Sequence, residues 1–123
     1  MEEKIKIHSF TDLIAWRKAH NLVLMVYKLT DEFPKSEVFG LTNQIRRSAV
    51  SVTSNIAEGF SRVTNKDKSQ FYAMSLGSLT ELQSQLLIAR DIEYISKENF
   101  MTASELSVEV SKLLNGLRKI RNT

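Results

Sequence analysis

His8 and His20 are the only histidines in the chain, and cysteine is absent. A di-iron carboxylate centre in a helical bundle needs Glu-x-x-His pairs, so that carboxylate and imidazole from one helix reach the same metal. Neither histidine has a glutamate three residues before it. The missing cysteines remove thiolate zinc sites as well. Serine is plentiful, yet no serine sits in the Gly-x-Ser-x-Gly elbow that exposes a nucleophile on a sharp turn. Gly40, Gly59, Gly77 and Gly116 stand singly, so no glycine-rich phosphate cradle forms. No metal site, cofactor or catalytic residue is expected. Gly77, inside a helical pattern, suggests close packing or a local bend.

Three polar residues interrupt otherwise apolar helical patterns: Asn55, Glu58 and Glu81. Asn55 and Glu58 are three apart and share a helix face. Buried polar groups need partners, so a hydrogen-bonded pair that fixes helix register is one reading. The charge of Glu58 would then meet Arg46, Arg47 or Arg62 on a neighbouring subunit or turn. Catalysis by Glu58 and Glu81 as paired carboxylates would require a substrate cleft, which a closed bundle does not supply.

Positive charge is the other chemistry on offer. The net charge is +3 and the sequence pI about 9.3. Between positions 46 and 68, Arg46, Arg47, Arg62, Lys66 and Lys68 outnumber Glu58 and Asp67. From Lys112 onward the chain carries Lys112, Arg118, Lys119 and Arg121 and no acid. Such patches attract nucleic acid, although cations late in a helix also offset its negative dipole end. That second explanation fails for Arg46 and Arg47, which begin a helix. Phosphate or an acidic patch on another subunit would answer them.

The elements that must carry these residues are helices. Pro34 is the only proline, so helices can run long. The first is expected over Thr11 to Phe33, capped by Ser9 or Thr11, with an apolar stripe of Leu13, Trp16, Val23, Val26, Tyr27 and Phe33. His20 falls at its boundary or surface. Residues Lys35 to Gly40 connect, with a helical turn possible from Ser36. The second helix runs from Leu41 to Arg62 on Ile45, Ala49, Val52, Ile56 and Phe60. Its small residues allow close backbone approach, and its β-branched residues make it depend on packing. A third helix spans Lys66 to Ile95, capped by Thr64 or Asn65. It buries Phe71, Leu79, Leu82, Leu86 and Ala89, and carries Tyr72, Leu76, Leu87 and Ile88 beyond that stripe. This surplus suggests a second buried face. The fourth follows Ser96 and ends near Ile120, with Ala103, Leu106, Val110, Leu113, Leu117 and Ile120 as its seam.

Four amphipathic segments with short connectors predict an all-α, antiparallel, up-down-up-down four-helix bundle. At 123 residues, 42% hydrophobic and 25% charged, the chain suits one domain. That domain covers positions 11–120, between an N-terminal extension at 1–10 and a tail at 121–123. The opening Met1-Glu2-Glu3-Lys4 lacks the features of a secretory signal, and no run approaches the roughly 18 to 20 apolar residues of a membrane span. A cytoplasmic location without membrane contact is therefore expected.

Several segments carry a resemblance. They are Phe10 to Ala19 around Trp16, Phe33-Pro34 with Glu37-Val38-Phe39-Gly40-Leu41, Gln44-Ile45-Arg46-Arg47-Ser48-Ala49-Val50-Ser51, Ser54-Asn55-Ile56-Ala57-Glu58-Gly59, and Gly77 to Leu82. From Phe10 to about Ala89 the chain resembles the four-helix bundle proteins of intervening sequences in bacterial 23S ribosomal RNA genes. The last helix matches only in pattern, and Ser48 and the Val52-Thr53 step are mild departures. The resemblance implies a homo-oligomer, a pentamer, and kinship with accessory variability proteins of diversity-generating retroelements. Those relatives resemble basic barrels that bind nucleic acid and a reverse transcriptase. Ribosomal-protein labels in the family do not imply a ribosome component, and the family lends no catalytic residue. The expectation is a non-enzymatic oligomer that binds structured RNA or DNA through joined basic patches. The alternative is a scaffold for a polypeptide such as a polymerase.

Overall fold

Asp12 draws the start of the fold together by accepting the backbone N–H groups of His8 and Ser9 at 2.9 and 3.1 Å. In the computed structural model, which describes residues 6–120, this capping box closes a single 3-10 turn at Phe10–Asp12 rather than opening the first long helix. Leu13 is extended, at φ −72° and ψ 128°, so α1 begins three residues later than expected and spans Ile14–Thr30. A second 3-10 turn at Lys35–Glu37 follows Pro34. The remaining helices are α2 at Leu41–Ser61, α3 at Asn65–Asp91 and α4 at Lys97–Arg118. Thr64 and Ser96 cap α3 and α4, accepting the N–H groups of Asp67 and Asn99.

The end of α3 departs most from the expected boundary. The N–H of Tyr94 bonds the carbonyl of Ala89 at 2.8 Å, and that of Glu93 bonds Arg90 at 3.0 Å. This pairing is a Schellman stop, which needs a left-handed residue, and Glu93 supplies it at φ 63°. No glycine marks the turn, so periodicity alone carries the helix on to Ile95.

All regular structure among the described residues is helical. The backbone of α1 lies against α2 and α4, and that of α3 against α2 and α4. Neither α1 with α3 nor α2 with α4 makes such a contact, so the four helices close a ring around one core. Leu22, Val26, Ile45, Val52, Ile56, Leu79, Leu82, Val110 and Leu114 fill it, each at most 1% exposed. Each such side chain contributes roughly 1.5–3 kcal/mol by leaving water. Partners between α2 and α3 are Ser48 with Glu81, Ser51 with Ser78, and Val52 with Ser75, so numbers rise along one helix as they fall along the other.

Several expected core positions shift. Tyr27 is exposed, while Ala15, Ala19 and Leu22 take the inner face of α1 beside Val26. Tyr72 is buried and Phe71 only partly so. On α4 the buried positions are Phe100, Ala103, Ser107, Val110 and Leu114; Leu106, Leu113 and Leu117 flank them, and Ile120 lies exposed past the helix end. Both stripes on α4 have helical spacing, and only contact with α1 and α3 selects between them. Close packing occurs at Gly59, where an added Cβ would lie 2.6 Å from the Tyr72 ring, whereas Gly77 has open space.

Candidate functional site

The basic residues divide into those used by the fold and those left over. Arg46 belongs to the first group. Its Nε donates to Thr30 Oγ1 at 2.8 Å, its Nη2 reaches Asp31 Oδ1 at 3.1 Å, and its guanidinium lies 4.6 Å from the centre of the Tyr27 ring. The partner that its place at a helix start demands is thus the end of α1. Arg62 pairs with Glu58 one turn back at 3.0 Å and covers the Phe71 ring at 4.4 Å. Lys68 donates to the Phe60 carbonyl at 2.6 Å, closing α2 at its negative end.

Arg47, Lys66, Lys112, Arg118 and Lys119 are exposed and have no acidic partner among the described residues. Arg121 lies outside them. Within one chain the cations between positions 46 and 68 are spread along α2 and the start of α3. Arg47 is in the second turn of α2 and Arg62 just past its last, roughly 22 Å along the axis at about 1.5 Å per residue. Lys66 sits in the first turn of α3, and Arg118 and Lys119 at the end of α4.

The polar triad also separates. Asn55 does not pair with Glu58; its amide donates to the Ser51 carbonyl at 2.9 Å and the Ser51 hydroxyl at 3.1 Å. Ser51 in turn shares a 2.8 Å bond with Ser78, so the network joins α2 to α3. Glu81 accepts from Ser48 at 2.8 Å and from Gln85 at 3.2 Å, while Glu58 faces solvent beside Arg62. Register between α2 and α3 is thus set by serines and Glu81. The two glutamates do not share a site, since Glu58 pairs with Arg62 one turn on and Glu81 reaches Ser48, ten positions before Glu58 on α2.

Folding adds two grooves. A groove of about 630 Å³ runs along α1 and α2, lined by Tyr27, Asn43, Arg46, Arg47, Val50, Ser51 and Ser54. A second, apolar groove of about 430 Å³ lies where Ile7, Leu13 and Ile14 face Leu113 and Leu117. The Arg46-Arg47 pair marked the first; nothing local marked the second, because it forms only where α4 crosses the start of α1. His20 stacks on Trp16 with 4.7 Å between ring centres, which places it at the boundary as expected. Among the described residues no cluster of three or more histidines, cysteines or carboxylates stands in metal-binding reach, and no helix is long and apolar enough to cross a membrane.

A solved structure of a protein of unknown function from the S23 ribosomal protein family of Bacteroides thetaiotaomicron is similar in fold, with a TM-score of 0.80. It is 23% identical, and the match covers 87% of this chain and 100% of that one. No curated protein matches the chain. The family model described as the 23S rRNA-intervening sequence protein matches residues 11–116, through all four helices, and the chain belongs to that family.

Proposed function

We propose that the chain is a non-enzymatic, cytoplasmic protein that assembles with its own copies and holds structured RNA or DNA on the cations its fold leaves unpaired. The partition of positive charge carries this reading. Arg46, Arg62 and Lys68 are bonded within the chain, whereas Arg47, Lys66, Lys112, Arg118 and Lys119 face solvent with no described acidic partner. The opposed residue order of α2 and α3 supports an antiparallel, up-down-up-down arrangement. In that arrangement the α2–α3 turn and the end of α4 share one end of the bundle, bringing Lys66 near Arg118 and Lys119.

Leftover apolar surface supports assembly. Ile14, Leu24, Leu87, Ile88 and Val108 are each more than a third exposed. Five copies, the number the resemblance implies, would carry about five times the +3 of one chain, and linked weak sites gain by avidity. Titration of a labelled RNA hairpin in gel shifts tests this. Binding is expected at low salt and falls steeply as salt rises. The triple variant Lys66→Glu, Arg118→Glu, Lys119→Glu should lose it; an unshifted hairpin with the unmodified protein at low salt overturns the reading.

The apolar groove between Ile14 and Leu117 favours a second reading, a scaffold for a polypeptide partner such as a reverse transcriptase. A partner retained through high salt and nuclease would support it over nucleic-acid binding.

A further inference from the structure

We infer that the groove between α1 and α2 takes one unpaired nucleotide, its base against the Tyr27–Arg46 stack and its phosphate on Arg47. This rests on the nucleic-acid reading above and names what that surface receives. Arg46 is a fixed plane: Thr30 and Asp31 hold two of its nitrogens at 2.8 and 3.1 Å, and the Tyr27 ring backs it at 4.6 Å. Its side chain is nonetheless 27% exposed and lines the groove together with Tyr27. A guanidinium already ordered by three neighbours offers a stacking surface with little further loss of freedom on binding.

Charge narrows the ligand. Asp31 neutralises Arg46, which leaves Arg47, among the described residues, as the one cation of the lining without an acidic partner. A single free cation suits one phosphate and makes a poor track for a duplex backbone, whose binding depends on many neutralised phosphates. Duplex bases are also stacked on each other, whereas an unpaired base can leave its strand and stack on an arginine plane. The polar groups beside this platform are available too. Asn43 and Ser54 are exposed on the lining and their side chains make no hydrogen bond among the described residues, so an amide and a hydroxyl stand ready for a base edge. Ser51, by contrast, is held by Asn55 and Ser78.

Fluorescence anisotropy with a labelled ten-residue oligoadenylate and a labelled RNA hairpin tests the assignment. Ser54→Trp fills the groove from an exposed helix position, and Arg47→Ala removes the phosphate contact without touching the core. Both should weaken oligoadenylate binding, by roughly 5- to 150-fold for loss of the stacked base, while hairpin binding changes less. The salt slope for oligoadenylate should be near about −0.7 per bound chain, as for one phosphate. If Ser54→Trp alters the melting curve, Arg47→Ala alone decides. Oligoadenylate affinity indifferent to Arg47→Ala overturns the inference. Should the hairpin still bind through Lys66, Arg118 and Lys119, the site assignment fails and the broader reading stands. Should neither RNA bind at low salt, both fail. Groove-dependent binding of oligoadenylate without any hairpin binding upholds the site and removes the structured-RNA reading.

Discussion

Glu37 does two jobs with one carboxylate, accepting the Leu41 N–H at 3.3 Å at the start of α2 and the Tyr94 hydroxyl at 2.9 Å from beyond α3. The hydrogen bond to Glu37, aided by desolvation and by the carboxylate's charge, holds the Tyr94 phenol above its ordinary value of 10.0. Burial raises Tyr72 in the same direction. A pKa raised by folding gives stability that is complete below the unfolded value and is lost as pH climbs through the folded one. The urea midpoint should therefore decline above about pH 10, and less so in Tyr94→Phe. A midpoint flat from pH 9 to 11 would contradict the assigned bonds. Arg46 makes a comparable tie between α1 and α2. Arg46→Lys keeps the charge but loses the flat contact with Tyr27 and the directed bond to Thr30. About 1 kcal/mol of unfolding free energy should go with it, read from urea curves at neutral pH.

Whole elements respond to changes that touch no functional group. Gly59 permits α3 to approach α2, and a methyl there would meet the buried Tyr72 ring at 2.6 and 2.9 Å. Gly59→Ala should cost about 1–3 kcal/mol through overpacking. Gly77→Ala should go the other way, gaining about 0.5–1 kcal/mol, since its site is open and alanine is the better helix former. Glu93 stores a different strain. Its left-handed backbone costs an L-residue about 1–2 kcal/mol, so Glu93→Gly should raise the melting temperature by relieving it. Equal melting temperatures for these three variants would show that the α2–α3 contact and the α3 stop are looser than drawn.

At the scale of the molecule, apolar residues left on the surface ask for cover. Phe39 is 93% exposed on a turn that Glu37 bonds down, and Val38 beside it is 51% exposed. An aromatic so exposed adds little to the stability of one chain and much to an interface. Size exclusion with light scattering should give a multiple of 14.1 kDa. Phe39→Ser should lower that mass while leaving the urea midpoint of the separated chains unchanged. A wild-type particle of single-chain mass would remove both assembly and avidity.

Much of the architecture was legible along the chain. Capping residues Thr64 and Ser96, the α2 stripe from Ile45 to Ile56 and the break at Pro34 each act through neighbours within a turn or two, so their positions can be inferred without knowing what lies across the core. The same locality explains the misses. Whether Tyr27 or Leu22 faces inward, and which of two apolar stripes on α4 becomes the seam, depends on which helix arrives opposite. Glu93 reveals its left-handed turn only once the α3 carbonyls need capping. The charged residues behave alike: spacing announced Arg46, Arg47, Arg62 and Lys68 as one basic set, but an arginine is spent or free according to the acid, carbonyl or ring that folding brings beside it. Periodicity specifies a face, and only contact between faces decides which residues remain for binding.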